Sequence, residues 1–299
     1  MPKTGSSPFG STFDLQARTV AIMPGVDLGA MHTALAEVTA LGESCGAVAV
    51  ITGGGVYCAG SVDHAVPVAS VSKALFGYAV MVAVEEEVLF LDQPCGLLGS
   101  TVRHLLAHAG GYGFAGSDPV TAPGTRRIYS NHGFDVLGQL LEQEAQMSAG
   151  DYLHQAVFAP LAMDASSLGG SPAKDVVSTA HDLAQFVAEL LRPTLIHPTT
   201  FSSFHAVQFP DLAGMVPGVG RFRPNPWGLG VEIRGAKSPH WTGLQNSVDT
   251  FGHFGGLGSF LWVDPERRVG LTVTNHRTFG PWALSSWPRI SDAVLELVG

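Results

Sequence analysis

The segment Val66-Pro-Val-Ala-Ser-Val-Ser-Lys-Ala-Leu-Phe-Gly-Tyr-Ala-Val80 carries one charged side chain, that of Lys73, among mostly apolar residues. The apolar pattern from about residue 72 to residue 87 predicts a helix that is buried on nearly all sides. A buried lysine is costly unless it is paired, and burial lowers its pKa toward that of a base near neutral pH. Lys73 is therefore a candidate functional residue.

Ser70 lies three residues before Lys73. Positions three apart share a helix face, so the hydroxyl and the amine are expected within hydrogen-bonding reach. A serine is a weak nucleophile until a neighbouring base takes its proton, and this pair would supply both groups. Ser-x-x-Lys alone leaves another interpretation open, in which Ser70 caps the helix and Lys73 extends to solvent.

A helix and two strands are predicted before this segment. Apolar residues at helical spacing favour a helix at about 28–41. Two stretches are typical of strands, Gly46–Ile51 and Val56–Ala59. The glycine-rich stretch Thr52–Gly55 between them is typical of a hairpin turn. After the segment, helical patterns alternate with Gly/Pro-rich loops, and they predict helices at 101–108, 133–144, 149–157 and 179–191.

The last third of the chain is mostly strand-like. Residues 193–226 are rich in Pro and Phe and predict an irregular segment. Strands are predicted at 228–234, 258–263 and 269–274, followed by a closing helix at 288–298. Strands at both ends and helices between them indicate one sheet built from both ends of the chain. A site at the seam with the helical part is expected.

The formal net charge of −9 over 299 residues argues against two classes of partner. Nucleic acids and anionic membranes attract basic patches, and the largest basic clusters here are the pairs Arg126–Arg127 and Arg267–Arg268. We therefore expect a small-molecule substrate, with no nucleic-acid and no membrane partner. The sequence does not indicate an oligomeric state.

The expected location is the cytoplasm. Residues 1–10 are polar and lack the charged start and apolar stretch of a secretory signal. The longest apolar run, Ala74–Val84, is shorter than the roughly 20 residues that span a bilayer. Free thiols in a reducing compartment are predicted because no Cys-x-x-Cys spacing occurs; the three cysteines are Cys45, Cys58 and Cys95.

Two weaker motifs are not assigned a function. Gly42-Glu-Ser-Cys-Gly46 fits Gly-x-Ser-x-Gly, but a helix precedes Ser44 and a strand follows it, the reverse of a nucleophile elbow. His104 and His108 have the spacing of two zinc ligands on a helix. No glutamate follows His104 and no third ligand is evident, so we interpret both as packing or helix-end residues.

Two further motifs complete a pattern with Ser70 and Lys73. These are Tyr129-Ser-Asn131 and His253-Phe-Gly255. Together they resemble the serine β-lactamase and penicillin-binding-protein superfamily, whose motifs are Ser-x-x-Lys, Ser/Tyr-x-Asn and Lys/His-x-Gly. The resemblance covers roughly residues 46–277. Tyr-Ser-Asn with His-x-Gly is similar to the class C-like branch, which includes D-alanyl carboxypeptidases and family VIII esterases.

The resemblance implies an α+β fold, with an antiparallel sheet flanked by helices and a helical sub-domain. We assign residues 1–85 and 215–299 to the α/β sub-domain and residues 86–214 to the helical one. The two would form one catalytic unit with the site at their interface.

The resemblance also implies residue roles. Ser70 would attack the carbonyl and be acylated, while Lys73 would share or relay its proton. Tyr129 would act as general base and then acid, and the nearby cation would favour its phenolate. Asn131 would orient Lys73 and bind the acyl part of the substrate. His253 stands where many relatives have lysine and, neutral near pH 7, would bind a substrate carboxylate weakly.

The remaining site predictions concern the backbone and the rim. The N–H groups of Ser70 and Gly256 would form the oxyanion hole. Gly255 would let the substrate approach closely. Tyr112 and Trp227 are candidates for substrate binding, and Phe114 and Phe222 could also line the cleft, with ordinary packing as the alternative for all four. No metal and no cofactor are expected.

The implied function is a serine hydrolase that forms an acyl-enzyme on Ser70 and hydrolyses carboxylic esters or small amides. A D-amino-acid peptidase and a weak β-lactamase are the alternatives of the same class. A member of the fold that binds a ligand without turnover is the alternative of another class.

Overall fold

The structure is a computed structural model that describes residues 21–23, 25–40 and 46–298. Ser44, Cys45 and residues 1–10, considered above, lie outside the described residues. The elements are β1 (Ala21–Ile22), α1 (Leu28–Ala40), β2 (Ala47–Thr52), β3 (Gly55–Gly60), β4 (Val66–Pro67), α2 (Ser72–Glu85), α3 (Val102–Leu106), α4 (Asn131–Ala145), α5 (Ala149–Leu153), β5 (Ser167–Leu168), β6 (Val176–Ser178), α6 (Ala180–Leu191), α7 (Pro198–His205), β7 (Gly214–Val216), β8 (Gly220–Phe222), β9 (Glu232–Ile233), β10 (Phe251–Phe254), β11 (Phe260–Asp264), β12 (Val269–Thr274) and α8 (Pro281–Val298).

Seven strands form one antiparallel sheet in the order β1-β3-β2-β12-β11-β10-β9. The pairing of β2 with β12 joins the two ends of the chain, with Ala47 opposite Thr274 and Thr52 opposite Val269. The strands β4, β6 and β5 form a small second sheet, and β7 and β8 form a hairpin. The predicted α+β fold with an antiparallel sheet is confirmed.

Strand β2 shows why this sheet is covered on both faces. Ala47, Ala49 and Ile51 belong to one hydrophobic cluster, whereas the alternate residues Val48 and Val50 belong to the other. Side chains alternate between the faces of a strand, so a continuous apolar run buries both. Helices α1 and α8 pack together on one face, and α6 packs on the other against β2, β11 and β12.

Helix α2 lies in the centre of the protein. Every residue from Ser72 to Ala83 is buried, as the apolar pattern predicts. The helix packs against α5, α7 and β10. It therefore carries Lys73 into the interior, beside strand β10 of the main sheet.

The sub-domain boundaries stay a prediction. Helices α3, α4 and α5 pack in succession, and α5 also packs on α2. Helix α6, which falls within the predicted helical sub-domain of residues 86–214, packs on the sheet instead. No helix in the described part of the chain combines the length and the hydropathy needed to cross a membrane.

The prediction that residues 193–226 are irregular is wrong in two places. Residues 198–205 form α7, which begins with Pro198 in its first turn and is capped by the His197 side chain, an acceptor from Thr199 N. Proline is well suited to a first turn because its missing N–H has no partner there. Residues 214–222 form the β7–β8 hairpin.

Three other boundaries differ from the sequence analysis. The closing helix starts at Pro281 and holds Pro288 in its interior, because the buried Ala283 and Trp287 pack its first two turns on the sheet. The predicted strand 228–234 is paired in the main sheet only at Glu232–Ile233. Strand β10, which holds His253, was not predicted.

Candidate active site

Ser70 lies in a single turn of 3₁₀ helix, Ala69–Val71, which leads directly into α2. Its side chain is partly exposed, whereas Lys73 is fully buried one turn later. Ala69 has φ of 49°, in the left-handed region that non-glycine residues rarely adopt. Strained backbone next to a nucleophile is typical of active sites, where the surrounding packing holds it.

The amine of Lys73 contacts three oxygen atoms. Nζ lies 2.6 Å from Asn131 Oδ1, 2.7 Å from the Ala173 carbonyl oxygen and 3.5 Å from Ser70 Oγ. Burial lowers the pKa of Lys73 to about 7; Asp135 opposes this shift and Lys174 adds to it. A neutral amine can donate its two hydrogens to Asn131 and Ala173 and direct its lone pair at the Ser70 hydroxyl.

Tyr129 is held in place by the start of helix α4. Ser130 caps that helix, since its Oγ accepts from Gly133 N at 3.0 Å and donates to the Gly113 carbonyl at 2.7 Å. The Asn131 N–H donates to the Phe114 carbonyl. These bonds fix the backbone on both sides of the Tyr129 and Asn131 side chains, which point at Lys73.

The predicted phenolate character of Tyr129 does not agree with its surroundings. Burial raises the pKa of Tyr129, and its hydrogen bond with Ser70 opposes this only in part. Lys73 Nζ lies over the ring face, 4.7 Å from the centroid. Tyr129 therefore keeps its proton at neutral pH, and Lys73 is the better base of the two.

His253 completes a line of hydrogen bonds. Its Nδ1 faces the Phe254 carbonyl at 2.8 Å, so Nδ1 carries the proton and Nε2 accepts. Tyr129 Oη lies 3.4 Å from Nε2 and donates to it. Burial, together with Lys73, lowers the pKa of His253 to about 3, so the ring is neutral, as predicted.

When Lys73 is protonated, these hydrogen bonds form a chain in which each group donates to the next. Lys73 donates to Ser70, Ser70 to Tyr129, Tyr129 to His253, and His253 to the Phe254 carbonyl. When Lys73 loses its proton, the Ser70 hydroxyl can turn and donate to the amine instead. One proton on Lys73 thus sets the direction of the Ser70 hydroxyl.

His108, interpreted from sequence as a packing residue, supports Tyr129 from behind. Its ring lies 4.4 Å from the Tyr129 ring, and Nδ1 accepts the Ser130 N–H at 3.2 Å. Burial and the nearby Lys73 hold the pKa of His108 well below its usual range. His104 is turned away and packs on Phe209, so the two histidines do not share a site.

Glycines bring β10 and the Trp227 segment close to α2. A Cβ on Gly255 would lie 2.3 Å from the Val68 carbonyl oxygen, so only glycine lets β10 approach the Ser70 turn. Gly230, with φ of 95°, packs against the Lys73 carbonyl in the same way. This second contact fixes the segment that places Trp227 beside His253, at 5.5 Å between ring centroids.

A cavity of about 210 Å³, here called the catalytic cavity, opens at Ser70. Five predicted residues line it, namely Ser70, Tyr129, Trp227, His253 and Gly256. Lys73 and Asn131 lie behind this surface. Tyr112 lies elsewhere, because its ring packs on His132 and its hydroxyl lies against Gly96. A sixth candidate, Phe114, lines it as well, whereas sequence reasoning missed the apolar lining residues Val216, Pro217 and Phe279.

A second buried lysine lies in the β9 region. Lys237 Nζ is 2.7 Å from Glu232 Oε1 and also donates to the carbonyls of Pro226 and Ile233. Glu232 further accepts from His240 and from Trp241 Nε1. Burial alone would raise the pKa of Glu232, but Lys237 and His240 outweigh it and hold that pKa far below its usual range. Glu232 is therefore a buried carboxylate paired with Lys237.

Among residues 21–23, 25–40 and 46–298, no three His, Cys, Asp or Glu side chains are grouped so that they could hold a metal ion. The two cysteines in this part, Cys58 and Cys95, are buried free thiols. The functional groups gathered around Ser70 are thus an amine, a phenol, an amide and an imidazole.

Comparisons with known proteins give a consistent result. A family model described as Beta-lactamase matches residues 35–294. The structure of a β-lactamase from Mycobacterium bovis is 47% identical, covers 89% of this chain and 99% of that chain, and superposes with a TM-score of 0.87. No curated protein sequence matches significantly.

Two more distant structures share the fold. The hydrolase EstCE1, described as having promiscuous acyltransferase activity, is 17% identical over 89% of this chain and 99% of that chain, with a TM-score of 0.72. An octameric penicillin-binding protein homologue from Pyrococcus abyssi is 20% identical over 87% of this chain and 76% of that chain, with a TM-score of 0.69.

Proposed function

Because the chain belongs to the Beta-lactamase family of serine hydrolases, we propose that it hydrolyses carboxylic esters or small amides through an acyl-enzyme on Ser70. The observation that carries this proposal is the Lys73 amine. It is buried, its pKa is lowered to about 7, and its two shortest contacts are neutral oxygen acceptors. An amine in this setting can take the Ser70 proton near neutral pH.

The first half-reaction transfers the acyl group to Ser70. Neutral Lys73 accepts the Ser70 proton while Oγ bonds to the substrate carbonyl carbon. The N–H groups of Ser70 and Gly256 stabilise the oxyanion. As the bond to the leaving oxygen breaks, Tyr129 donates its proton to that oxygen, and the Lys73 ammonium returns a proton to Tyr129. The alcohol leaves, and every group of the enzyme except acylated Ser70 is restored.

The second half-reaction repeats these steps with water. Water attacks the acyl carbon, its proton passes to the same Tyr129–Lys73 pair, and the bond to Ser70 Oγ breaks as that oxygen is protonated. His253 keeps Tyr129 oriented through Nε2, and Asn131 keeps Lys73 oriented through Oδ1. Both are positioning residues in this mechanism.

The catalytic cavity supports a neutral acyl group. Its walls combine aromatic and small residues, and its two titratable rings, those of Tyr129 and His253, are both neutral. A carboxylate on the acyl part would find no Lys or Arg side chain among the described residues that line the catalytic cavity. Lys73 lies behind them, and the mechanism needs it as a free amine. We therefore rank simple esters ahead of D-amino-acid amides.

The test uses the purified full chain with p-nitrophenyl butyrate and a fluorophosphonate. We expect turnover of the ester, and a single adduct on Ser70 by mass spectrometry of the peptides. Ser70→Ala should lose roughly ten-thousandfold or more in kcat and take no label. Binding without turnover, unchanged in Ser70→Ala, would instead identify a non-catalytic ligand-binding protein.

β-Lactam hydrolysis is the second candidate, favoured by the 47% identity to a protein described as a β-lactamase. Nitrocefin measures it under the same conditions. A kcat/KM for nitrocefin above that for p-nitrophenyl butyrate would reverse the ranking and leave the role of Ser70 unchanged.

A further inference from the structure

A larger cavity adjoins the catalytic cavity. It has a volume of about 770 Å³, and Phe114, Tyr129 and Pro217 line both cavities. Its wall also contains the exposed side chains of Arg126, Arg221 and Arg223, and we call it the arginine cavity. A molecule that extends past Tyr129 from Ser70 would enter this second space.

The charge of the arginine cavity is opposite to that of the protein as a whole. The chain carries a net charge of −9, yet no Asp or Glu occurs among the described residues that line this cavity. None of its three exposed arginines forms an ion pair with a described residue. Clustered cations in a concave wall attract anions, and guanidinium groups match the geometry of carboxylate and phosphate.

The same wall contains apolar surface. Phe114, Val120 and Met215 line the arginine cavity and are 57%, 60% and 51% exposed. Exposed apolar side chains that form a patch beside a cavity indicate a binding surface, whereas single exposed apolar side chains do not. Cations and apolar groups together suit an anion with an apolar body.

Backbone hydrogen bonds connect this wall to Tyr129. In the β7–β8 hairpin, Met215 lies directly opposite Arg221. The carbonyl of Ala213, the residue before β7, accepts a hydrogen bond from the Arg127 N–H at 2.9 Å. Tyr129 lies two residues after Arg127 in the sequence. The arginine cavity and the proton donor of the proposed mechanism are therefore parts of one hydrogen-bonded unit.

We propose that the arginine cavity binds the alcohol part of an ester whose alcohol carries a carboxylate or phosphate on an apolar body. This rests on the proposed function, in which Tyr129 protonates the leaving oxygen. The group beyond that oxygen must then lie next to Tyr129 and Phe114, which lead into the arginine cavity. The neutral acyl part occupies the catalytic cavity, and the anionic alcohol part occupies the arginine cavity.

The experiment compares meta-acetoxybenzoate with its neutral methyl ester, two acetates that differ in the charge of the leaving group. We expect the wild type to prefer the anion in kcat/KM by about tenfold, mostly through KM, with the preference shrinking at high salt. Arg221→Gln with Arg223→Gln should remove this preference and leave turnover of the neutral ester unchanged. Circular dichroism melting checks that this exposed double variant folds.

Arg267→Gln with Arg268→Gln is the matched control. These exposed arginines lie in the turn between β11 and β12, at the opposite end of the strands from Gly255, and their loss removes the same charge. The control variant should keep the preference. Equal kcat/KM for both esters in the wild type, or a preference that survives Arg221→Gln with Arg223→Gln, overturns the inference while the proposed hydrolase stands.

If these two acetates and p-nitrophenyl butyrate are all left unhydrolysed, the proposed function fails on its own, and calorimetry decides the inference. Binding of meta-hydroxybenzoate and its methyl ester is then measured in the wild type and in the Arg221/Arg223 double variant. Tighter binding of the anion, lost in the variant, supports an anion site. Equal affinity for the two compounds overturns it.

Discussion

Lys73 and Lys237 are both buried, but they differ in the acceptors that surround them. Lys237 contacts the carboxylate of Glu232 and two carbonyls. Lys73 contacts an amide oxygen, a carbonyl and a hydroxyl, all of them neutral. A carboxylate partner favours the ammonium form, whereas neutral acceptors leave desolvation to favour the amine. Burial lowers the pKa of Lys237 as well, but the Glu232 carboxylate opposes that shift. The same side chain is therefore a paired cation in one region and a candidate base in the other.

Lys73→Met tests the active-site half of this comparison and has the largest expected effect. We expect kcat/KM for p-nitrophenyl butyrate to fall about a thousandfold to ten-thousandfold, because the general base is lost. Urea denaturation should show a smaller loss of unfolding free energy than Lys237→Met, since no buried carboxylate loses its partner. Substantial activity in Lys73→Met would mean that another group activates Ser70.

Lys237→Met tests the structural half. It leaves the Glu232 carboxylate buried without its closest cation, and we expect the unfolding free energy to fall by about 3–5 kcal/mol. Urea denaturation measures this, and adding Glu232→Gln should recover part of the loss. A Lys237→Met protein as stable as the wild type would show that the carboxylate does not need the lysine.

Asn131→Asp should make the surroundings of Lys73 more like those of Lys237, which has a carboxylate partner. A carboxylate would then lie where Asn131 Oδ1 now accepts from Lys73 at 2.6 Å. We expect the ammonium to be favoured and the kcat/KM profile to move up by about one to three pH units. Asn131→Leu is the uncharged control, because it removes the hydrogen bond without adding charge. An unmoved profile in Asn131→Asp would separate the activity from Lys73 ionisation.

The smallest expected effect is the change of the wild-type kcat/KM with pH. The pKa of Lys73 is lowered to about 7, so the amine required as base is present above that pH and is lost below it. We expect kcat/KM to rise through about pH 7 and to fall about tenfold for each pH unit on the acid side. His253, with a pKa of about 3, does not contribute to this limb. A flat profile between pH 5 and 8 would contradict Lys73 as the base.

The sequence predicts the proposed nucleophile and its neighbours because their signals are local or lie in short motifs. Ser70 and Lys73 share a helical turn, and the Tyr129 and His253 motifs identify the family, which the comparisons confirm. The class C-like branch and the individual residue roles stay predictions. The sequence could not reveal that the Ala173 carbonyl accepts from Lys73 or that the His108 ring packs on Tyr129, since tertiary packing alone brings these groups together.

The missed elements have a common physical cause. Strand β10 contains Gly252, a weak strand former, but a Cβ there would lie 2.2 Å from the Leu261 carbonyl oxygen. Helix α7 begins at a proline and contains several Ser and Thr residues, which are weak helix formers. In both places contacts with distant residues outweigh the local preference, and a reading of single segments cannot include such contacts.

The pairing of β2 with β12 has a consequence for biosynthesis. The two strands lie more than two hundred residues apart in sequence but are neighbours in the centre of the sheet. Contacts of such high sequence separation form late and slow the folding of a domain. A ribosome-bound chain that already displays α2 still lacks β10, Trp227 and the partner strand of β2. Ser70, the proposed nucleophile, is therefore translated well before the segments that surround it, and it acquires its full surroundings only after β12 has been made.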